Sequence, residues 1–249
     1  MIDHNNSYQD VSPILFDVDG VLCDTGCTIT PEFQEYFLNW MRGKPVMLVT
    51  GSNHEKTRWQ VGDAIVDEAL ITYNCMGNSI WMNGKEVLTI NPIRLTRQEH
   101  LWIHHEITST QFPGKLGNHV EHRGSTINLS FTGRPATPEV RAAFKAWDNH
   151  HEYRARLVNR FNEQNPRLQA FIGGDTSVEI CIRHANKAQV VHLCPSGMNR
   201  NLFTFFGDKC FPGGIDYPLV EYGRNTYSST IHEVQGYQDT WKILREVYS

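Results

Sequence analysis

The sequence lacks several features that would place it in whole classes of protein. It has no apolar run approaching the ~20 residues needed to cross a bilayer. Residues 1–10 are polar and contain no apolar core of a secretory signal. Basic residues are not in excess, since 23 lysines and arginines face 27 acidic residues for a formal net charge of −4, which argues against a basic nucleic-acid-binding surface. We therefore expect neither a membrane nor a nucleic acid among the partners.

Cysteine and histidine occur without the spacing of a known framework. None of the six cysteines stands in a Cys-x-x-Cys pair, and none of the twelve histidines combines with a cysteine at zinc-finger spacing. We therefore expect neither a disulfide framework nor a structural zinc site. Scattered thiols are typical of a reducing compartment, so the pattern favours a cytoplasmic location.

The chain does contain enough apolar material for a core. Of its 249 residues, 40% are hydrophobic, which suffices for one large domain or two smaller ones without covalent cross-links. Apolar runs at 14–16 and 45–50 indicate buried strands, and helical segments follow them from about Thr30 and His54. This alternation predicts parallel strands joined by right-handed crossovers.

The middle of the chain has a different pattern. Strand pairs with turns at Gly124–Ser125 and Gly173–Gly174 alternate with helical segments at 96–108 and 138–162. The segment 138–162 has the periodicity of one long amphipathic helix. Hairpins combined with two helices, without a parallel repeat, are typical of a separate α+β unit.

The end of the chain returns to the first pattern, with a strand at 202–206 and a terminal helix. We therefore predict an α/β protein with a Rossmann-like parallel-sheet core, formed by residues 1–89 and 188–249, and an inserted α+β cap domain at 90–187 that binds the substrate. A cleft between two such domains is a usual place for a small-molecule site.

Two carboxylates follow the first apolar run. Asp17 and Asp19 come directly after residues 14–16, at the carboxyl edge of the predicted sheet, where such folds bind ligands. Residues at i and i+2 of a strand point the same way, so both side chains are expected to face one ligand. They can serve as nucleophile and acid/base, or jointly hold a cation. An Asp-x-Asp pair alone is more often a solvated strand end, and the preceding apolar strand and the following Gly-Val-Leu are what favour a functional site.

Hydroxyl and amino groups follow in the later segments. Thr50 and Ser52 offer hydroxyls and backbone N–H groups at a helix start, an arrangement that binds anions. Lys187 precedes a segment that returns to the core, where its charge can neutralise a transferring phosphate. Taken singly, each of these features is also compatible with an ordinary loop or surface residue.

The last strand is followed by further carboxylates. Asp208 comes directly after Gly207, and Asp216 lies beyond a Pro-Gly-Gly turn. Mg²⁺ prefers oxygen ligands, so Asp208 can complete a magnesium site with Asp17.

Together, in this order, these pieces resemble the haloacid dehalogenase superfamily of phosphotransferases. They read Asp-x-Asp-Gly, a Thr/Ser strand end, a lysine, and Gly-Asp-x-x-x-x-Gly-Gly-x-Asp. The resemblance implies that the first aspartate attacks phosphorus and the second moves the proton, while the hydroxyls and the lysine hold the phosphoryl oxygens. The implied catalytic residues are Asp17, Asp19, Lys187, Thr50 and Ser52, and the implied metal ligands are Asp17, Asp19, Asp208 and Asp216.

Within that superfamily the chain resembles the eukaryotic-type phosphomannomutases over nearly its whole length. Residues 205–216 are similar to that family's third core signature, and residues 121–141 to its substrate-binding segment. The resemblance implies a mutase that interconverts mannose 6-phosphate and mannose 1-phosphate for GDP-mannose synthesis, with Mg²⁺ and a hexose bisphosphate activator, and a homodimer formed through the cap. The implied substrate-binding residues are Arg123, Arg134, Arg141, Asn128, Ser177 and Glu179.

The arginines of the cap agree with a mutase, whereas one residue of the core favours a phosphatase. A mutase must grip the distal phosphate of its substrate, and planar guanidinium groups bind phosphate through two parallel hydrogen bonds. Thr50, however, replaces a glycine of the mutase pattern and is more typical of sugar phosphatases. The alternative is therefore a magnesium-dependent sugar-phosphate phosphatase. A phosphate-binding protein without activity is a third reading, which the intact aspartates and lysine disfavour.

Overall fold

A computed structural model describes residues 10–90, 92–226 and 229–248. The chain forms two compact units, the first comprising Met1–Thr89 and Ala185–Ser249 and the second comprising Ile90–His184. Lys187 thus belongs to the first unit, whereas the boundary expected from the sequence assigned it to the cap. None of the helices in the described ranges is both long and apolar enough to span a membrane.

The strands alternate with helices at both ends of the chain and form hairpins in its middle. In chain order they are β1 (Ile14–Phe16), β2 (Val46–Val49), β3 (Ile71–Asn74), β4 (Ser79–Met82), β5 (Lys85–Thr89), β6 (Leu116–Gly117), β7 (Val120–His122), β8 (Thr126–Ser130), β9 (Gly133–Arg134), β10 (Leu168–Ile172), β11 (Ser177–Ile182), β12 (Thr204–Gly207) and β13 (Thr230–Glu233).

The helices are mostly of two to four turns. In chain order they are α1 (Pro31–Met41), α2 (His54–Val61), α3 (Asp63–Glu68), α4 (Arg97–Ser109), α5 (Pro138–His151), α6 (Tyr153–Gln164), α7 (Tyr217–Asn225) and α8 (Tyr237–Val247). Short 3₁₀ segments form at Cys75–Gly77 and Lys187–Val191.

The first unit is built on a seven-stranded sheet in the order β13-β12-β1-β2-β3-β4-β5. Pairing is parallel from β13 to β3 and antiparallel at β4 and β5. This sheet and its connecting helices confirm the predicted α/β class. The central strands are apolar on both faces, as a parallel sheet covered on both sides requires.

Alternation along β1 and β12 fixes their register. Leu15 and Phe205 enter one apolar cluster, and Phe16 and Phe206 enter the other, on the opposite face of the sheet. All four side chains are fully buried, and burying each contributes about 1.5–3 kcal/mol. A shift of one residue would exchange the faces. The fixed register brings the carboxyl ends of β1, β2 and β12 side by side.

The second unit is built on an antiparallel sheet in the order β10-β11-β8-β7. On β8 and β11, Ile127, Leu129, Val178 and Ile180 enter a core that also contains side chains of α5 and α6. The residues between them, of which Glu179 is one, therefore point to the other face of the sheet.

The segment 138–162 was predicted as one helix but forms two, so the prediction of a continuous helix was wrong. Glu152 has a left-handed backbone conformation (φ 48°) and separates α5 from α6. Asp148 of α5 connects the two helices. Its Oδ1 accepts the backbone N–H of Arg154 at 2.9 Å, and its Oδ2 accepts Nε–H of the same residue at 2.7 Å. The apolar spacing continues across the break, which is why periodicity alone did not reveal it.

Candidate active site

The carboxyl ends of three neighbouring strands carry the principal groups of the candidate site. Asp17 follows β1, Thr50 follows β2 and Asp208 follows β12. The Asp17 backbone N–H donates to the carbonyl of Phe206 at 3.0 Å, which continues the pairing of β1 with β12. Asp17 is 4% exposed, so its carboxylate is held in a low-dielectric environment.

Lys187 lies between two of the carboxylates. Its Nζ is 2.8 Å from Asp17 Oδ1 and 2.7 Å from Asp216 Oδ1, and its side chain is fully buried. Burial alone would lower the pKa of Lys187, but the two carboxylates outweigh it and the pKa is raised above its usual value. The side chain therefore remains an ammonium ion whose charge faces Asp17.

Asp216 supports the loop that carries Asp208. While its Oδ1 accepts from Lys187, its Oδ2 accepts the backbone N–H groups of Asp208 at 3.1 Å and Lys209 at 3.0 Å. A side chain at Gly207 would come within 2.9 Å of the same Oδ2, so the close approach requires glycine. Asp216 thus holds both Lys187 and the backbone of the loop that carries Asp208.

Within the described ranges, one group of carboxylates has the geometry of a metal site. Asp17, Asp208 and Asp216 each place an oxygen within 4.8 Å of the others. Burial raises the pKa of Asp17 well above its usual range, and the neighbouring carboxylates Asp216 and Asp208 add to it despite Lys187. Burial likewise raises the pKa of Asp208 to about 6, against the effect of Lys209, which contacts its Oδ2. Crowded, buried carboxylates of this kind fit a hard divalent cation such as Mg²⁺.

The carboxylate of Asp19 is not part of this group, and its expected role as a metal ligand is not supported by the geometry. Strand β1 ends at Phe16, so the strand alternation that would aim Asp17 and Asp19 the same way no longer applies. Asp19 Oδ1 instead accepts the Gly26 N–H at 2.7 Å, and Oδ2 accepts Lys56 Nζ at 3.0 Å. Burial would raise the pKa of Asp19, but Lys56 and the hydrogen bonds hold it well below its usual range. The group is ionised and can accept a proton.

Thr50 and Ser52 are both buried at the start of the segment leading to α2. Thr50 Oγ1 accepts the backbone N–H of Ser52 at 3.1 Å. The backbone carbonyls of the two residues accept the N–H groups of Met76 and Cys75 at 2.8 Å each. The Ser52 hydroxyl donates to Asp19 Oδ2 at 3.4 Å, so it lies next to the residue expected to move the proton.

In the second unit, four of the expected substrate-binding residues form a connected polar network. Glu179 Oε2 accepts Asn128 Nδ2 at 2.8 Å and Arg123 Nη1 at 3.4 Å. Arg123 Nη2 also donates to Glu121 at 2.8 Å, and Arg134 Nη2 donates to Asn128 Oδ1 at 3.3 Å. Arg123 is thus balanced by two glutamates, which hold its guanidinium group on the face of the sheet opposite the apolar core.

The remaining two expected residues lie at the ends of elements. Arg141 is in the first turn of α5, where its backbone N–H donates to the N-cap residue Thr137 at 3.0 Å. Ser177 begins β11, and its carbonyl accepts the N–H of Gly173 at 3.2 Å.

Comparison with known proteins identifies the family. The model of the eukaryotic phosphomannomutase family matches residues 33–249. A probable phosphomannomutase of Caenorhabditis elegans is 31% identical over 246 residues, which cover 94% of each chain. Phosphomannomutase 1 of Dictyostelium discoideum is 29% identical over 94% of this chain and 95% of its own, and the phosphomannomutase of Saccharomyces cerevisiae is 28% identical over 95% and 94%. This chain belongs to the eukaryotic phosphomannomutase family. The resemblance inferred from the motifs is confirmed.

Solved structures with the same fold are more distant. An IMP-nucleotidase of Plasmodium falciparum superposes with a TM-score of 0.62 at 14% identity, over 96% of this chain and 67% of its own. A trehalose-6-phosphate phosphatase related protein superposes with a TM-score of 0.56 at 15% identity, over 94% and 96%. At these identities the likeness shows the fold alone.

The matched family segment begins at Phe33, so Asp17 and Asp19 lie before it. Their place in the site rests on geometry, namely the contact of Asp17 with Lys187 and the donors around Asp19. Two of those donors, Lys56 and Gln60, were not among the predicted site residues. Their spacing of four residues, directly after the Thr-Gly-Ser turn, places them on one face of a helix and is the signal that could have found them.

Proposed function

We propose that the chain is a phosphomannomutase-like phosphotransferase, which interconverts the 6-phosphate and 1-phosphate of a hexose, mannose by preference, through an aspartyl phosphate on Asp17. The observation that carries the proposal is the buried Asp17 carboxylate at 2.8 Å from the Lys187 ammonium group, in a chain similar to phosphomannomutases over 94% of its length. A nucleophile and a fixed cation are the parts that phosphoryl transfer through an aspartate requires.

Asp17 and Asp208 are the residues that would hold Mg²⁺, since Asp216 is engaged by Lys187 and two backbone N–H groups. When bound, the ion neutralises charge on the phosphoryl oxygens. Lys187 stabilises the same charge from the protein side. The fully buried setting strengthens both interactions because little water screens them.

The reaction begins on a hexose bisphosphate, which serves as the activator. Asp19, which is ionised at rest, first takes a proton from solvent. Asp17 then attacks phosphorus, the bond from phosphorus to the sugar oxygen breaks, and Asp19 gives that oxygen its proton. In the second half, ionised Asp19 takes the proton of the accepting hydroxyl, which attacks the aspartyl phosphate and frees Asp17. The proton and the phosphoryl group are thus each returned after one cycle. Thr50 and Ser52 supply hydroxyls and N–H groups for the phosphoryl oxygens.

We assign substrate recognition to the second unit. Arg123, Arg134 and Arg141 are proposed to bind the distal phosphate. Asn128, Ser177 and Glu179 are proposed to bind hydroxyls of the sugar. The ordered Glu179 network supports this assignment, since it fixes the side chains before a ligand arrives and so reduces the entropy lost on binding.

From family membership we further propose a homodimer formed through the cap, a cytoplasmic location and a role in GDP-mannose synthesis. The free cysteines of the described structure suit a reducing compartment. Sedimentation of the full chain tests the dimer.

The test of the function follows phosphate-labelled mannose 1-phosphate with Mg²⁺, with and without a hexose 1,6-bisphosphate. We expect mannose 6-phosphate as the product, little free phosphate, and a strong dependence on the bisphosphate. The Asp17→Asn variant is the matched control for contaminating activity. Stoichiometric release of phosphate without 6-phosphate product would contradict the proposal.

A sugar-phosphate phosphatase is the second candidate, and Thr50 is the residue that favours it. Its hydroxyl at the second strand end is typical of that class, and the same labelling experiment identifies it by the release of phosphate. In the structure, Thr50 Oγ1 accepts a hydrogen bond from the Ser52 N–H.

A further inference from the structure

The carboxylate of Asp19 is surrounded by four donors. Oδ1 accepts the Gly26 N–H and Gln60 Nε2, each at 2.7 Å. Oδ2 accepts Lys56 Nζ at 3.0 Å and the Ser52 hydroxyl at 3.4 Å. A carboxylate has about four lone-pair positions, so these donors fix the orientation of both oxygens.

Two of the four donors come from one face of α2. Lys56 and Gln60 are one turn apart, and the helix start is fixed by Asn53, whose side chain accepts the Lys56 N–H at 2.9 Å. Gln60 is fully buried, and its carbonyl accepts the N–H of Ile29 at 2.7 Å. Both donors are therefore placed by the backbone of a packed helix.

The backbone around Asp19 is fixed by a turn, in which the Gly20 N–H donates to the Cys23 carbonyl at 2.8 Å, but a fixed main chain does not by itself orient the carboxylate. The residue lies beyond the end of β1, and the next residue, Gly20, has a left-handed conformation (φ 80°). The Asp19 side chain remains 20% exposed and has two rotatable bonds. Proton transfer requires the carboxylate within hydrogen-bond reach of the reacting oxygen, and free rotation would reduce the time it spends there.

We propose that Lys56 and Gln60 are positioning residues, which hold the Asp19 carboxylate in the orientation needed for proton transfer to and from the sugar oxygen. The inference rests on the proposed function, in which Asp19 moves that proton. Each side chain fixes a different oxygen. Losing Lys56 removes the charged donor of Oδ2, and losing Gln60 removes the side-chain donor of Oδ1, while neither change touches Asp17 or Lys187.

The leaving group of the substrate distinguishes positioning from a purely structural role. A sugar oxygen leaves poorly without a proton, so phosphorylation of Asp17 by a sugar phosphate needs Asp19. Nitrophenolate leaves without a proton, so phosphorylation of Asp17 by 4-nitrophenyl phosphate does not need Asp19. A variant with a disordered site would lose both reactions equally.

The experiment measures mannose phosphate isomerisation and the pre-steady-state release of nitrophenolate by the full chain with Mg²⁺. We expect Lys56→Met and Gln60→Met to lower kcat for isomerisation about 10- to 100-fold with KM little changed, and to leave nitrophenolate release within about threefold. Lys56→Arg, which keeps a charged donor, should recover most of the loss. The matched control is Arg58→Met on the same helix, whose side chain pairs with Asp63 and Asp67.

Equal loss of both reactions, or no loss of isomerisation, would overturn the proposal. Gln60 is buried, so Gln60→Glu serves as a second, nearly isosteric variant, whose negative charge should repel Asp19 and reproduce the selective loss. A wild-type chain that releases nitrophenolate but forms no 6-phosphate refutes the mutase function instead. The positioning role is then tested on sugar-phosphate hydrolysis, whose leaving oxygen needs the same proton.

Discussion

Lys187 Nζ donates to Asp17 Oδ1 at 2.8 Å, and neither side chain is more than 5% exposed. The lysine lies on a 3₁₀ segment at the return from the second unit, and the aspartate lies at the end of the first strand. A buried ammonium group is costly unless it is paired, and here it also pairs with Asp216. The contact therefore links the chemistry of the site to the stability of the first unit.

Replacement of Lys187 by methionine is expected to destabilise the protein and to abolish turnover. The change leaves Asp17 and Asp216 as buried carboxylates without their cation, and breaking a buried ion pair costs about 3–5 kcal/mol. Urea unfolding followed by circular dichroism measures the loss. Lys242→Met, at an exposed position on α8, is the control and should change stability by less than about 0.5 kcal/mol. A Lys187→Met chain as stable as that control would contradict the assigned role.

Asp17→Asn should remove activity while preserving the fold. The amide is nearly isosteric with the carboxylate but cannot act as the nucleophile, so no acyl phosphate can form. Turnover of both mannose 1-phosphate and 4-nitrophenyl phosphate should fall below detection. Asp24→Asn changes an exposed aspartate of the following loop and should retain activity. A variant that still turns over would exclude Asp17 as the nucleophile.

The convergence of Asp17, Thr50 and Asp208 could be predicted because it depends on chain topology. Each follows an apolar strand, and parallel strands bring their carboxyl ends to one edge. The position of Asp19 could not be predicted in the same way, because the donors that orient it come from α2 and from a loop. The break at Glu152 was missed for a related reason, since it depends on a side chain binding backbone rather than on apolar spacing.

Activity should require a hard divalent cation, with Mg²⁺ most effective. Excess chelator is expected to abolish turnover, and added Mg²⁺ should restore it. Asp208→Asn should raise the Mg²⁺ concentration for half-maximal rate by about tenfold or more. Glu221→Gln, at an exposed position on α7, should leave that concentration unchanged. Full activity of the wild type in chelator would refute the metal requirement.

Glu99 should make the stability of α4 depend on pH. It accepts the Thr96 N–H in the cap of that helix and pairs with Arg167. Burial would raise the pKa of Glu99, but these partners outweigh it and lower the pKa. A lowered carboxyl pKa contributes stability that is fully present above the unfolded value of about 4.3 and is lost as the pH falls through the lower pKa of the folded state. Protection of α4 amides from hydrogen exchange should therefore decrease in acid.

The matched variants are Glu99→Gln and, as control, Glu163→Gln at an exposed site on α6. Glu99→Gln should weaken α4 protection by about 1–3 kcal/mol at pH 7, and its difference from wild type should shrink in acid. A difference that does not change with pH would contradict the role of the ionised carboxylate.

Arg141→Ala should separate the two substrates, because only a sugar phosphate has a distal phosphate to hold. Isomerisation of mannose 1-phosphate should fall about 10- to 100-fold, as expected for a charged hydrogen bond of about 1.5–3 kcal/mol. Hydrolysis of 4-nitrophenyl phosphate should change little, because its single phosphate would be bound at Lys187 and the strand ends, as proposed above. Arg156→Ala, an exposed arginine of α6, controls for the loss of one positive charge from the same unit. An equal decline with both substrates would mean that Arg141 supports the fold rather than the distal phosphate, and the grip would then belong to Arg123 and Arg134.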